Sequence, residues 1–145
     1  MPDHTRDRKI QRYRSQSLRL LDSAFGEMRS GRWMRSEELI WGSLTLAVKG
    51  VALSQGEEVD GEEAVKLYAA RLGKEHRDRR IREAFTQLSA FSETVDQVRE
   101  SRSRVDYLFL QLDDISAAVE RLLELVSDNN TDSISSPETS SPKTN

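Results

Sequence analysis

Apolar residues recur at alternating spacings of three and four along most of the chain, which is the pattern of amphipathic α-helices. The pattern predicts a first helix from about Asp7 to Ser30. Gly31 follows it and is well suited to the left-handed position after a helix end. The inner face of this helix consists of Ile10, Tyr13, Ser17, Leu21, Ala24, Phe25 and Met28.

A second amphipathic helix is predicted to begin at Trp33 or near Ser36 and to reach about Ser54. Its inner face comprises Trp33, Ile40, Trp41, Leu44, Ala47, Val48 and Val51. The short connection between the first two helices predicts an antiparallel hairpin. Gly42, Ser43 and Ala47 are small, so a neighbouring helix can approach closely there.

A third, shorter helix is predicted after the polar loop of residues 55–59. Asp60 is a suitable N-cap, because a carboxylate in that position accepts hydrogen bonds from backbone N–H groups of the first turn. Its apolar face is Ala64, Val65, Tyr68 and Leu72. Gly73 is expected to end this helix, and His76 to open the next one.

The apolar series over residues 81–126 leaves two alternatives open, because neither Gly nor Pro interrupts it. One continuous helix would be about 70 Å long and would need a coiled-coil partner. A break in the polar stretch of residues 100–104 would instead give two helices that fold back on each other. We favour the break, because the serines there compete for backbone hydrogen bonds and Ser103 can cap a new helix.

The predicted fold is therefore an all-α antiparallel bundle of four to five helices, over residues 1–127. The segment 128–145 is rich in Ser, Thr, Asn and Pro and is too poor in apolar residues to offset the entropy of ordering. We expect it to be a disordered tail.

Composition narrows the chemistry that the chain can perform. It contains no cysteine and only two histidines, His4 and His76, among 145 residues. Disulfides, thiol nucleophiles and zinc fingers are excluded, and we predict neither a metal site nor a cofactor. The N-terminus has no apolar leader and no run is long enough to span a membrane, so a cytoplasmic location is expected.

Charge is segregated along the chain, although the net charge is only −3. Residues 1–35 and 71–82 are basic, whereas residues 36–70 and 106–145 are acidic. The basic segments could contact an RNA backbone, or they could be solvated helix faces that pair with the acidic segments. We favour the second interpretation. The candidate RNA-binding residues are Arg8, Arg12, Arg77, Arg79 and Arg80.

Arg71 and His76 form the one sequence pattern with catalytic potential. A neutral histidine can act as a general base on a ribose 2′-hydroxyl, and an arginine can stabilise the charge that develops on the phosphate. The alternative is that both residues lie on a polar surface, since an Arg near a His arises easily by chance in an Arg-rich chain.

Three segments resemble the HEPN superfamily, in particular its archaeal paralogous-repeat branch. They are Glu27–Trp33 at the first hairpin, Ser36–Lys49 in the second helix and Ala84–Phe91. The resemblance extends over about residues 10–126 and lies in helix lengths and in the placement of small and aromatic residues.

The resemblance implies a helical bundle that usually dimerises. Many HEPN proteins are RNases of toxin–antitoxin or phage-defence systems and use an Arg-x(4–6)-His motif, whereas others bind partners without catalysis. The spacing of Arg71 and His76 fits the motif, but the pair lies between two helices rather than inside a late one. Where related proteins carry Leu-His, this chain has Leu88-Ser89, which favours a non-catalytic member.

We therefore predict a non-enzymatic, HEPN-like module that acts through self-association and partner binding. A metal-independent RNase that uses Arg71 and His76 is the alternative, and a nucleotidyltransferase-type antitoxin would be a suitable protein partner. We expect a homodimer, because the last helix carries more apolar residues than one contact stripe requires, with Phe109, Ala118, Leu123 and Leu125 beside the main seam. Its candidate interface residues are Tyr107, Phe109 and Leu123.

Overall fold

A computed structural model describes the backbone of residues 4–101 and 104–140, and the side chains of residues 5–101 and 104–126. Within these residues the chain forms six helices and no strand, so the predicted all-α class is confirmed. The helices are α1 (His4–Arg29), α2 (Trp33–Ser54), α3 (Glu62–Glu75), α4 (Arg79–Arg82), α5 (Ala84–Ser101) and α6 (Val105–Ser140). The addition to the predicted set is α4, a single turn of four residues.

Helices α1 and α2 form the predicted antiparallel hairpin. Gly31 adopts a positive φ of 78°, and its N–H donates to the Met28 carbonyl at 3.0 Å, which ends α1. The Arg32 guanidinium pairs with the Glu27 carboxylate across the turn. This hydrogen bond lowers the pKa of Glu27 below its ordinary value.

The hairpin is held closely together by buried serines. The Ser17 hydroxyl donates to the Ser43 carbonyl oxygen, and the Ser43 hydroxyl donates to the Ser17 carbonyl oxygen, both at 2.8 Å. Further along, the Ser36 hydroxyl donates to the Ala24 carbonyl oxygen, also at 2.8 Å. All three serines are fully buried, so side chains this small allow the two backbones to approach each other.

The break between α5 and α6 confirms the predicted hairpin over the alternative of one long helix. Helix α5 ends at Ser101, and Arg104 has a positive φ of 68° immediately before α6 begins. The proposed cap, Ser103, lies outside the described residues.

Helix α6 is the central element of the bundle and packs against α1, α2, α4 and α5. Its position follows from its composition, because Leu112, Ile115, Val119 and Leu122 are all fully buried. The predicted tail, residues 128–145, lies outside the part of the chain whose side chains are described.

Two predictions about α3 are wrong. The N-cap position is occupied by Gly61, with a φ of 90°, rather than by Asp60, and no side chain caps the helix. Gly73 does not end the helix, which continues to Glu75. The role of this glycine is instead to let α4 cross α3, since a Cβ atom on Gly73 would lie 2.3 Å from the Arg82 backbone nitrogen.

The expectation that His76 opens the fourth helix is also wrong, because His76 is the C-cap of α3. The chain then turns at Arg77, which has a φ of 52°. Asp78 begins α4, and its Oδ1 accepts hydrogen bonds from the backbone N–H groups of Arg80 at 3.0 Å and Ile81 at 3.2 Å.

Candidate functional site

Arg71 is engaged within its own chain. Its guanidinium lies 3.3 Å from a Glu57 carboxylate oxygen and 3.7 Å from Glu75, and it stacks 4.7 Å from the centre of the Tyr68 ring. Desolvation lowers the pKa of Arg71, but the two carboxylates outweigh it and raise the pKa above its ordinary value. The arginine is thus held as a cation on the side of α3 that faces the α2–α3 loop.

His76 is exposed at the far end of α3, where its backbone N–H donates to the Leu72 carbonyl oxygen at 2.9 Å. Five positions along a helix correspond to about 140° around its axis, so Arg71 and His76 leave α3 in different directions. Arg71 and His76, the two predicted catalytic residues, are therefore not brought together on one face of α3.

Three of the predicted RNA-binding residues do converge. Arg77, Arg79 and Arg80 line an open groove of about 490 Å³, which we name the arginine groove. It is formed by the α3–α4 turn, α4, the start of α5 and one residue of α6. Its full lining is Arg77, Asp78, Arg79, Arg80, Glu83, Ala84, Gln87 and Asp114.

The charges of the arginine groove are largely balanced within the chain. Arg79 lies 3.3 Å from Glu83, and Asp78 lies 3.4 Å from Arg121 of α6. Arg77 and Arg80 make no ion pair with the described residues. With three arginines and three carboxylates in its lining, the groove lacks the strong positive excess that a phosphate backbone attracts.

Arg8 and Arg12 are exposed on α1, and α1 contributes no residue to the arginine groove. The predicted RNA-binding set is therefore divided between two elements. Its members on α1 lie apart from those around α4.

The three predicted interface residues differ in exposure. Tyr107 is 42% exposed, Phe109 is partly buried against the core and Leu123 is only 3% exposed. Leu123 offers almost no surface to a second chain, because α6 is surrounded by four helices. Ala118 and Leu125, which contributed to the apparent apolar surplus of α6, are also buried in the same chain.

Leu110, which is 61% exposed on α6 one turn after Tyr107, was not among the predicted interface residues. Its spacing of three from Tyr107 was the signal that both side chains share one face. Arg104 stacks on the Tyr107 ring at 4.7 Å and makes no ion pair with the described residues. Tyr107 and Leu110 thus form an exposed apolar pair beside a cation.

Neither a metal site nor a membrane span emerges from the part of the chain that the structure describes. No group of three or more His, Asp or Glu side chains there is arranged to hold a metal ion. No helix among those residues is both long and apolar enough to cross a membrane.

Comparison of the chain with protein-family models, with curated proteins and with solved structures found no match.

Proposed function

We propose that the protein is a non-enzymatic, HEPN-like helical module that self-associates through the first half of α6. The observation that carries the proposal is the exposure of Leu110 and Tyr107 next to each other on a helix whose other apolar residues, as far as Val126, are almost all buried or partly buried. Adjacent exposed apolar side chains on an otherwise well-buried helix favour an interaction surface. A cytoplasmic location belongs to the same proposal.

A second copy of the chain is the occupant that we propose for this surface. Arg104 at one end of it and the exposed pair Asp113 and Asp114 at the other end make no ion pair with the described residues. A surface with a cation at one end and carboxylates at the other is complementary to itself when two copies meet around a twofold axis. Additional binding of a protein such as a nucleotidyltransferase-type antitoxin remains a prediction.

The arrangement of Arg71 and His76 argues against the RNase alternative. Arg71 already has two carboxylate partners and an aromatic ring, and His76 leaves α3 in a different direction. To stabilise a phosphate, the arginine would have to release both partners.

This alternative has a direct test. The purified protein and a His76→Ala variant are incubated with total RNA in the presence of a chelator. We expect the RNA to stay intact in both samples. Cleavage by the unaltered chain that disappears in the variant would establish the RNase.

Replacement of Leu110 tests the proposed self-association. Because Leu110 is 61% exposed, a Leu110→Glu variant should fold normally and lose the dimer. Light scattering should report a mass approaching twice 16.6 kDa for the unaltered chain at high concentration and 16.6 kDa for the variant. We expect a weak dimer, with a Kd on the order of 10–100 µM, because few side chains are buried.

The matched control is Leu67→Glu, since Leu67 on α3 is 69% exposed and lies outside the proposed surface. This variant should dimerise like the unaltered chain. The proposal is wrong if the unaltered chain keeps the monomer mass at about 1 mM, or if both substitutions weaken the dimer equally. Circular dichroism checks that both variants keep their helices.

A further inference from the structure

The exposed side of α6 carries a regular stripe of residues at alternating spacings of three and four. We name this set the α6 stripe, and its members are Tyr107, Leu110, Asp114, Ala117 and Arg121. Such spacing aligns side chains along one line of a helix, as in the contact seam of two packed helices. A second helix can therefore pack against part of this stripe.

The charged residues along and next to the stripe differ in whether they already have an ion-pair partner. Arg121 is engaged, since it pairs with Asp78 at 3.4 Å and with Glu124 at 3.1 Å. Arg104 lies just before the helix and Asp114 lies within it, and neither has an ion-pair partner among the described residues. Asp114 also lines the arginine groove with Arg77, Arg79 and Arg80, but it forms no ion pair with these arginines. Arg104 and Asp114 are ten positions apart, which corresponds to about 15 Å at the helical rise of about 1.5 Å per residue.

Two copies of α6 that pair in antiparallel fashion around a twofold axis can meet in several registers, and the charges distinguish them. An axis at Asp114 would bring two carboxylates together, and an axis at Ala117 would place Leu110 against the partner's Glu124. An axis midway between Tyr107 and Leu110 places Tyr107 of each subunit against the partner's Leu110. The same register brings Arg104 next to the partner's Asp113 and Asp114.

We propose that the dimer is an antiparallel α6–α6 pair in this third register, with an ion pair between Arg104 and Asp114 of the partner subunit at each end. The inference rests on the proposed function, because it specifies the geometry of the same surface. Tyr107 also contributes to this ion pair, because the Arg104 guanidinium stacks on its ring at 4.7 Å. Arg104 is thus positioned next to the surface before the second copy arrives.

Disulfide cross-linking tests the register without interference, because the chain contains no cysteine. Arg104→Cys and Asp114→Cys variants are prepared separately, then mixed and oxidised. A disulfide requires Cα atoms within about 7 Å of each other. The proposed register predicts cross-linked dimers in the mixture and few in either variant alone, because neither residue lies on the axis.

The control is a mixture of Arg104→Cys with Glu120→Cys, an exposed position of α6 about 9 Å further along the helix axis. It should cross-link much less. Efficient cross-linking of Asp114→Cys with itself, or of Arg104→Cys with itself, would overturn the proposed register. If the chain dimerises but the proposed mixture does not cross-link, the register is wrong and self-association stands. If the chain remains a monomer, the proposed function itself fails.

Charge reversal gives an independent readout. Arg104→Asp alone should weaken dimerisation about two- to twentyfold, as expected for the loss of two exposed ion pairs. Adding Asp113→Arg and Asp114→Arg to the same chain should restore it. If the triple variant dimerises no better than Arg104→Asp, the proposed ion pairs do not form.

Discussion

Gly73 illustrates how a single residue without a side chain determines a helix crossing. It lies in the last turn of α3, and the Arg82 backbone of α4 takes the space of its missing Cβ. The sequence suggested a helix end at this position because glycine is common there. Both close helix packing and helix termination favour glycine, so the sequence alone could not show which of the two roles Gly73 has.

Replacement of Gly73 by alanine should destabilise the protein. The new Cβ would lie 2.3 Å from the Arg82 nitrogen, so α4 would have to move away from α3. We expect the free energy of unfolding to fall by about 2 kcal/mol or more, as measured by urea denaturation. Gly26→Ala is the matched control, because the nearest atom to its Cβ would be the Arg29 Nη2 at 4.0 Å. This control should gain up to about 1 kcal/mol, and equal effects at both sites would refute the explanation.

Arg71 and His76, the predicted catalytic pair, show that a sequence motif alone does not establish a site. The spacing of Arg71 and His76 is a fact of the sequence, but function depends on where the side chains point. Arg71 forms an ion pair with Glu57 of the α2–α3 loop. These residues are 14 positions apart, and no local sequence pattern predicts the contact.

At the scale of the element, the α1–α2 hairpin was the most predictable part of the molecule. Its apolar spacing, the stop at Gly31 and the small residues of α2 all favoured the same arrangement. The reciprocal hydrogen bonds between Ser17 and Ser43 were not predicted, because a buried serine looks like an ordinary small residue in the sequence.

Substitutions at Ser43 test whether close approach or hydrogen bonding matters more in this hairpin. Ser43→Ala removes one donor and should cost about 1 kcal/mol. Ser43→Leu must separate the helices and should cost about 3 kcal/mol. Ser23 is exposed on α1, so the same substitutions there should change thermal stability little. If Ser43→Leu were as stable as Ser43→Ala, the proposed close packing would be incorrect.

The connections between elements were harder to predict than the helices. The break between α5 and α6 was recognisable, because the polar stretch of residues 100–104 interrupts the apolar series. The turn between α3 and α4 was not, because it uses Arg77 in a left-handed conformation that most side chains avoid. Asp78 was the available signal, since aspartate is a preferred N-cap.

At the scale of the whole molecule, the spacing of apolar residues predicted the all-α bundle, but it did not predict which residues of α6 stay exposed. The sequence indicated a surplus of apolar residues on α6, but Leu123 and Leu125 proved to be buried by neighbouring helices. How many helices surround α6 is a property of the complete bundle. On α6 the large apolar side chains left exposed among the described residues are those of Tyr107 and Leu110. Their spacing indicated a shared face, but only the packed structure shows that this face is uncovered.

The central claim is that the chain recognises a second copy of itself through the exposed half of α6. The most direct measurement is a dilution series followed by two-dimensional ¹H–¹⁵N NMR on the unaltered chain, from about 1 mM to about 10 µM. We expect concentration-dependent shifts confined to residues 104–117, with the strongest effects at Tyr107 and Leu110. Spectra that do not change with concentration, or shifts concentrated at Arg77, Arg79 and Arg80 of the arginine groove, would contradict the claim.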